Sequence, residues 1–492
     1  MEPIFVRAYA AHQDGRLDDA ERDYRATLDA DPVHVDALHL LGVLRHQQGQ
    51  HAEAADLVRR AVDLRPGDAA LQLNLGNALK ALGQLDGAIE RFRNALTLSP
   101  TFALAHYNLG NAYSTMGRHE DAALSFSQAV RLRPGDVSSY NNLGNALHAL
   151  GRHDEAVVAF RTALRLRPDH AGARNNLGMS LNALGDTAGA LVEFRAALAA
   201  QPRFVAAHFN LANTLDAIGE HRAAVASFDA ALALQPNLVP ALFGVGNALA
   251  ALGEHEEAVG RFERVVGFDP KFALAWLALG TAHHALGRHE AALRAFDQAL
   301  RVRPELAAAH LNRALVWLTR GDFQRGLPEY EWRLDPASRE TLRADAWPDA
   351  AGAAASGVPA AAPPAGVFAG HPPRWNGEPL AGRTLLIRAE QGFGDTLQFA
   401  RLLPLIAAQH PRSRIVFEVQ PSLLPLIEPA AQACRATTIA QGSPLPAADL
   451  QCPLLSLPLA LSVSTLDMLA APTSYLAAPP EYRRKWRGSL GG

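Results

Sequence analysis

Residues 103–136 read ALAHYNLGNAYSTMGRHEDAALSFSQAVRLRPGD, and this stretch decides the fold. Two amphipathic runs of about 12 to 14 residues flank Gly117, and Pro134 ends the segment. Gly117 supplies the left-handed residue that closes the first helix. Pro134 has no N–H and cannot continue the second, so it resets the chain. Small residues at Gly110, Ala122 and Ala129 let the two helices approach closely, and Leu109, Tyr113 and Phe126 fill the space around them.

The pattern repeats outward in both directions. Proline stands at 32, 66, 100, 134, 168, 202, 236, 270 and 304, each 34 residues from the last. Glycine keeps the same step from 15 to 321, and alanine from 20 to 292. An aromatic recurs from Tyr24 to Tyr330, with Val58 the one exception. A fixed step of this length is an array of helix pairs, each burying its apolar face only against its neighbours.

This resembles the tetratricopeptide repeat. Tyr140, Leu143, Gly144, Leu147, Ala156, Phe160, Ala163 and Pro168 hold the places of that motif in one unit. Residues 1–340 accommodate about ten units. The first (Ala8, Ala11, Tyr24, Thr27) and last (Arg313, Ala314, Gly326, Tyr330) depart furthest from the pattern, as solvent-facing caps should.

Composition agrees. At 492 residues the chain exceeds a single-core domain, and 49% hydrophobic content excludes general disorder. A net charge of −3 argues against a nucleic-acid or anionic-membrane binder. The start, MEPIFVRAYAAHQDG, lacks the basic and apolar regions of a secretory signal. There is no uncharged apolar run long enough for a membrane span. Two cysteines, Cys434 and Cys452, are too few for a disulfide framework and suit buried packing better than chemistry. The expectation is a cytoplasmic protein.

Asparagine recurs in the first helix of the units at 74, 108, 142, 176, 210 and 312. A second column holds Asn77, Asn111, Asn145, Asn213 and Asn247. The columns differ by three and share one helix face. Asparagine is a poor helix former, so its repetition has a cost that something offsets. One reading is a ladder of amides gripping the backbone of an extended peptide. The other is structural, each amide bonding its neighbour or a helix carbonyl. The two are compatible.

The ladder resembles the repeat region of O-linked N-acetylglucosamine transferases, where such amides line the groove that receives the protein substrate. The resemblance implies that Asn74, Asn77, Asn108, Asn111, Asn142, Asn145, Asn176, Asn210 and Asn213 bind a protein or peptide. Gly244 and Ala278 interrupt the ladder and Leu40 lacks it, so a groove would be strongest from about 74 to 213. Histidine also recurs at 51, 119, 153, 221, 255 and 289, opening each second helix. One per unit is too sparse to chelate a metal, and a solvated helix start is the expectation.

Beyond Trp332 the period fails. Residues 341–371 are rich in Ala, Pro and Gly and read as a flexible linker. From 372 to 492 the texture changes again. RTLLIRA (383–389), RIVFEVQ (414–420), CRATTIA (434–440) and DLQCPLL (449–455) are strand candidates, and LQFARLLPLIAAQ has helical spacing. Such alternation predicts a parallel α/β sheet. The fold class is therefore an all-α solenoid of about ten helix pairs followed by a small α/β Rossmann-like lobe.

The turn EQGFGDT after the first strand is the best chemical candidate. Gly392 and Gly394 are expected to permit backbone geometry closed to other residues, and the helix start behind them favours anions. Leu397 stands where a dinucleotide fingerprint needs its third glycine, and no GK[ST] follows. Asp395 then reads as a helix cap.

The run RWNGEPLAGRTLLIRAEQGFGDTLQFARLL (374–403), with EVQPSLLPLI (418–427) and CPLLSLPLAL (452–461), resembles bacterial tetratricopeptide-repeat glycosyltransferases. These are similar to the heptosyltransferase-like group, with two facing Rossmann-type halves. The resemblance implies that Asp395 is a general base for the acceptor hydroxyl. The anion-binding loop expected from the turn itself comprises Gln391, Gly392, Gly394 and Thr396. Roughly 120 residues are enough for one lobe only, the acceptor side. The expectation is either a truncated product or a scaffold that keeps half of a glycosyltransferase. No cofactor or metal is expected, and a nucleotide-sugar would bind only in a complete two-lobed form.

Overall fold

The computed structural model describes residues 2–334, 372–390, 392–465 and 476. The predicted linker 341–371 and Gln391 lie outside the described residues. Two compact units make up the chain, Met1–Ala241 and Leu242–Gly492, and each is taken by itself.

In the first unit, after the 12-residue helix Glu2–Gln13, helices of 14 and 13 residues alternate, as in the pair Ala103–Thr115 and His119–Leu132. The glycine between them does what its column requires: Gly117 has φ of 73°, a conformation costly for any residue with a Cβ. The second helix stops at Leu132, two residues before Pro134. The next first helix is often capped by the residue two places after the proline. Asp68 accepts from the backbone N–H of Ala70 and Leu71, and Asp136 from that of Ser139. Each such cap stabilises its helix by about 1 kcal/mol.

Packing inside a pair turns on a glycine facing an aromatic ring. A Cβ at Gly144 would lie 2.5 Å from Phe160 Cε1, and one at Gly110 would lie 2.7 Å from Phe126 Cε1. Phe126 and Phe160 are fully buried. Each first helix also touches the next first helix, Ala69–Ala81 against Ala103–Thr115 and that against Val137–Ala149. Second helices approach one another less closely, so within this unit the first helices form the inner row.

The second unit continues the helix pairs to Phe323–Tyr330 and carries the sheet. All four predicted strands form: β1 (Thr384–Arg388), β2 (Arg414–Val419), β3 (Ala436–Ala440) and β4 (Leu450–Pro453). They are parallel, in the order β3-β2-β1-β4. The run after β1 is not one helix. It divides into Phe393–Phe399, a 3-10 turn Ala400–Leu402 and Leu403–Gln409, because Pro404 has no N–H to donate to the Ala400 carbonyl. Phe323 and Leu327 of the last helix share one core with Trp375, Leu385, Ile387 and Phe417.

Candidate functional site

The asparagine columns meet across the repeat boundaries of the first unit. Asn108 Nδ2 donates to Asn77 Oδ1 at 2.9 Å, Asn142 to Asn111 at 3.0 Å, and Asn176 to Asn145 at 2.8 Å. Met179 breaks the second column, and Asn210 donates instead to Asn175, one turn earlier, at 2.9 Å. At the other end Asn74 Nδ2 reaches His39 Nε2 at 2.6 Å. In the second unit Asn312 donates to Thr281, which holds the second column's place there.

These bonds use the first column's donors and the second column's acceptors. What remains is directional. Among the described residues, the amide nitrogens of Asn77, Asn111 and Asn145 donate to no protein group, and all three side chains are at least partly exposed. The inner row therefore presents one amide NH2 group, with two N–H donors, at each of these three repeats. Asn213 is exposed two repeats beyond Asn145, past Met179.

The histidine column opens the second helices as expected, but it is not simply solvated. In four of the units the ring faces the residue five positions earlier, across the glycine turn. His51 Nδ1 lies 3.1 Å from His46 Nδ1, and His221 Nδ1 lies 2.7 Å from Asp216 Oδ1. The rings of His148 and His153 are 4.8 Å apart, and those of His284 and His289 are 5.5 Å apart. Burial, then the neighbouring His51, holds His46 below the ordinary imidazole range, and His148 and His284 are lowered in the same way. Among the described residues no three His, Cys, Asp or Glu side chains converge as metal ligands would.

The turn after β1 is plainer than its glycines suggest. Gly392 has φ of −67° and Gly394 is not left-handed, and a Cβ at either would meet nothing. The expectation of special glycine geometry is therefore corrected: the turn is open, and other residues would fit it. The helix starts at Phe393 with Gly392 as its cap, so Asp395 lies inside the first turn and does not cap it. The Asp395 carboxylate has no hydrogen-bond partner among the described residues. Thr396 is buried, its hydroxyl 3.4 Å from the Gly392 carbonyl.

In this sheet the chain leaves β1 toward β2 on one side while β4 lies on the other. The crevice at the C-terminal ends of β1 and β4 is thus the topological switch point, the usual ligand site of such sheets. Here protein groups fill it. Arg333, 8% exposed, donates to Glu390 at 3.2 Å and to Ser456 Oγ at 2.8 Å through Nη2, and to Glu331 at 2.8 Å through Nη1. The Leu455 N–H donates to Glu390 at 3.1 Å, and Arg374 pairs with Glu331. Burial pushes the Glu390 carboxyl up, with Arg333 opposing it. Sequence reasoning missed this cluster, since Arg333 and Glu390 are 57 positions apart and share no period. Burial also pushes the free thiols Cys434 and Cys452 up, which leaves both poor nucleophiles.

Comparison with known proteins bears on the helical part. A model of the tetratricopeptide repeat matches residues 5–69, 107–171, 141–203, 183–239 and 277–339. A second TPR repeat model matches 76–117 and 246–287. Protein FlbA of Caulobacter vibrioides is 32% identical over 117 residues, 24% of this chain and 16% of FlbA. The chain therefore spans about one-sixth of that relative's length. Among solved structures, MamA is 30% identical, covering 33% of this chain and 96% of its own with a TM-score of 0.32. YrrB, described as a TPR protein with an unusual peptide-binding site, is 26% identical, covering 38% and 97% with a TM-score of 0.34. Among the described residues no helix is long and apolar enough to cross a membrane.

Proposed function

The chain belongs to the tetratricopeptide repeat family, and from this we propose that it is a protein–protein interaction scaffold whose first-helix row binds an extended peptide. The observation that carries the reading is the row of unspent amide donors at Asn77, Asn111 and Asn145. Adjacent helices pack about 9–10 Å apart, and an extended polyproline II chain advances about 3.1 Å per residue with about three residues per turn, so every third carbonyl faces the same side. One NH2 group per repeat thus suits the carbonyl of every third peptide residue, with little regard to side chains. In this reading residues 1–340 are the binding array, 341–371 a linker and 372–492 an attached lobe, and the protein works in the cytoplasm.

The test is selection of peptides from a display library on the full chain, followed by calorimetry on the best binder. Replacing Asn77, Asn111 and Asn145 together by Ala is expected to weaken binding by roughly a hundredfold, from three lost hydrogen bonds at about 1 kcal/mol each. Unchanged affinity would refute the reading.

A second reading is favoured by the sheet order and by Asp395. An open parallel sheet ordered β3-β2-β1-β4 is half of a doubly wound fold. The Asp395 carboxylate, which has no hydrogen-bond partner among the described residues, would accept the proton of an acceptor hydroxyl. On this reading the lobe is the acceptor side of a glycosyltransferase whose donor lobe is supplied elsewhere. Calorimetric titration of the 492-residue chain with nucleotide-sugars is expected to give no measurable heat; micromolar binding would mean that the donor site is already present.

A further inference from the structure

Leu124, Val158 and Val192 are 68%, 64% and 61% exposed, more than any other large apolar side chain described. They are 34 residues apart, so they occupy one place on three successive second helices, His119–Leu132, His153–Leu166 and Thr187–Ala200. The same place holds Glu90 in the repeat before and Ala226 in the repeat after. The stripe is thus confined to three repeats, on the row opposite the asparagine ladder.

Charge flanks the stripe asymmetrically. Toward the helix starts stand the exposed acids Glu120 and Asp154. Toward the helix ends stand the exposed bases Arg131, Arg161, Arg165 and Arg195. Among the described residues, no hydrogen bond or ion pair holds Glu120, Asp154, Arg161 or Arg195. An acidic edge, an aliphatic middle and a basic edge together make a surface complementary to itself after a half-turn.

We infer that this face binds a second copy of the chain about a two-fold axis through Val158. The axis lays helix His153–Leu166 antiparallel on its copy, so that Val158 meets Val158 and Asp154 lies beside Arg161 and Arg165. It lays His119–Leu132 on the partner's Thr187–Ala200, so Leu124 meets Val192 and Glu120 lies beside Arg195. Such an isologous contact closes on itself and does not propagate. Three helices about 21 Å long, spaced somewhat wider than the ~10 Å of directly packed helices, offer roughly 600 Å² per copy, so the dimer buries roughly 1,200 Å², the lower edge of specific interfaces. The contact is therefore weak and salt-sensitive, and it leaves the inner row open.

Sedimentation equilibrium of the full chain, from micromolar to sub-millimolar concentration, tests the inference. A monomer–dimer equilibrium that weakens with salt is expected. Val158→Asp should abolish it with an unchanged helical signal, since the side chain is exposed. Glu120→Arg and Arg195→Glu should each weaken dimerisation by about tenfold, and the double variant should restore it, because the swapped charges again face each other across the axis. A chain monomeric throughout, a dimer indifferent to Val158→Asp, or a double variant no better than the singles would overturn the inference.

Discussion

Asn142 donates its side-chain N–H to Asn111 Oδ1 at 3.0 Å across a repeat boundary. The amide that looked free to grip a peptide is tied to its neighbour, and the Asn111 nitrogen is what remains for a ligand. Both columns therefore brace the stack, the first through its N–H and the second through its carbonyl, and only the second column keeps its NH2 for a ligand.

Replacing Asn108, Asn142, Asn176 and Asn210 together by Ala removes the braces. Each loses a bond worth about 1 kcal/mol but gains about 0.5 kcal/mol of helix propensity. The expected result is a full far-ultraviolet helical signal and a modestly lower thermal midpoint. Collapse of the helical signal would show that the ladder holds the stack upright.

Gly144→Ala places a methyl 2.5 Å from Phe160 Cε1. Overpacking of this kind costs about 1–3 kcal/mol. Hydrogen exchange in helices Val137–Ala149 and His153–Leu166 should accelerate accordingly. Adding Phe160→Leu should recover part of the loss, because the smaller side chain vacates the contested space. Additive losses would place the strain elsewhere.

The histidine pairs give the array a pH dependence. His46, His148 and His284 have depressed folded values, chiefly from burial. Their stabilising contribution is present above the unfolded imidazole value of about 6.5 and is lost as pH falls through the lower folded values. Urea midpoints should therefore drop below about pH 6.5. The triple variant His46→Gln, His148→Gln, His284→Gln should flatten that fall; an unchanged slope would assign the acid sensitivity to other groups.

At the switch point, Arg333→Met strands the Glu390 carboxylate in a buried site. Breaking one side of such a pair costs about 3–5 kcal/mol, and faster hydrogen exchange in β1 (Thr384–Arg388) reads the loss. Replacing both partners, Arg333→Met with Glu390→Leu, should recover most of it. Failure of the double variant to recover would mean that Arg333 acts chiefly through Glu331 and Ser456.

By itself the sequence determined the array: a 34-residue step of Gly, Ala, Phe and Pro leaves a chain one local solution, since each column's size and backbone freedom are set by the adjacent helix. It determined the four strands as well, because short apolar runs between helical stretches carry their own signal. Two things were decided only by tertiary structure. Which atoms of the asparagine ladder stay free depends on bonds between residues 31 or 35 positions apart, where the shared face was legible but the direction of each amide was not. The filling of the switch point by Arg333 depends on a contact across the region where the period fails, and a burial that pairs charges so far apart leaves no pattern along the chain.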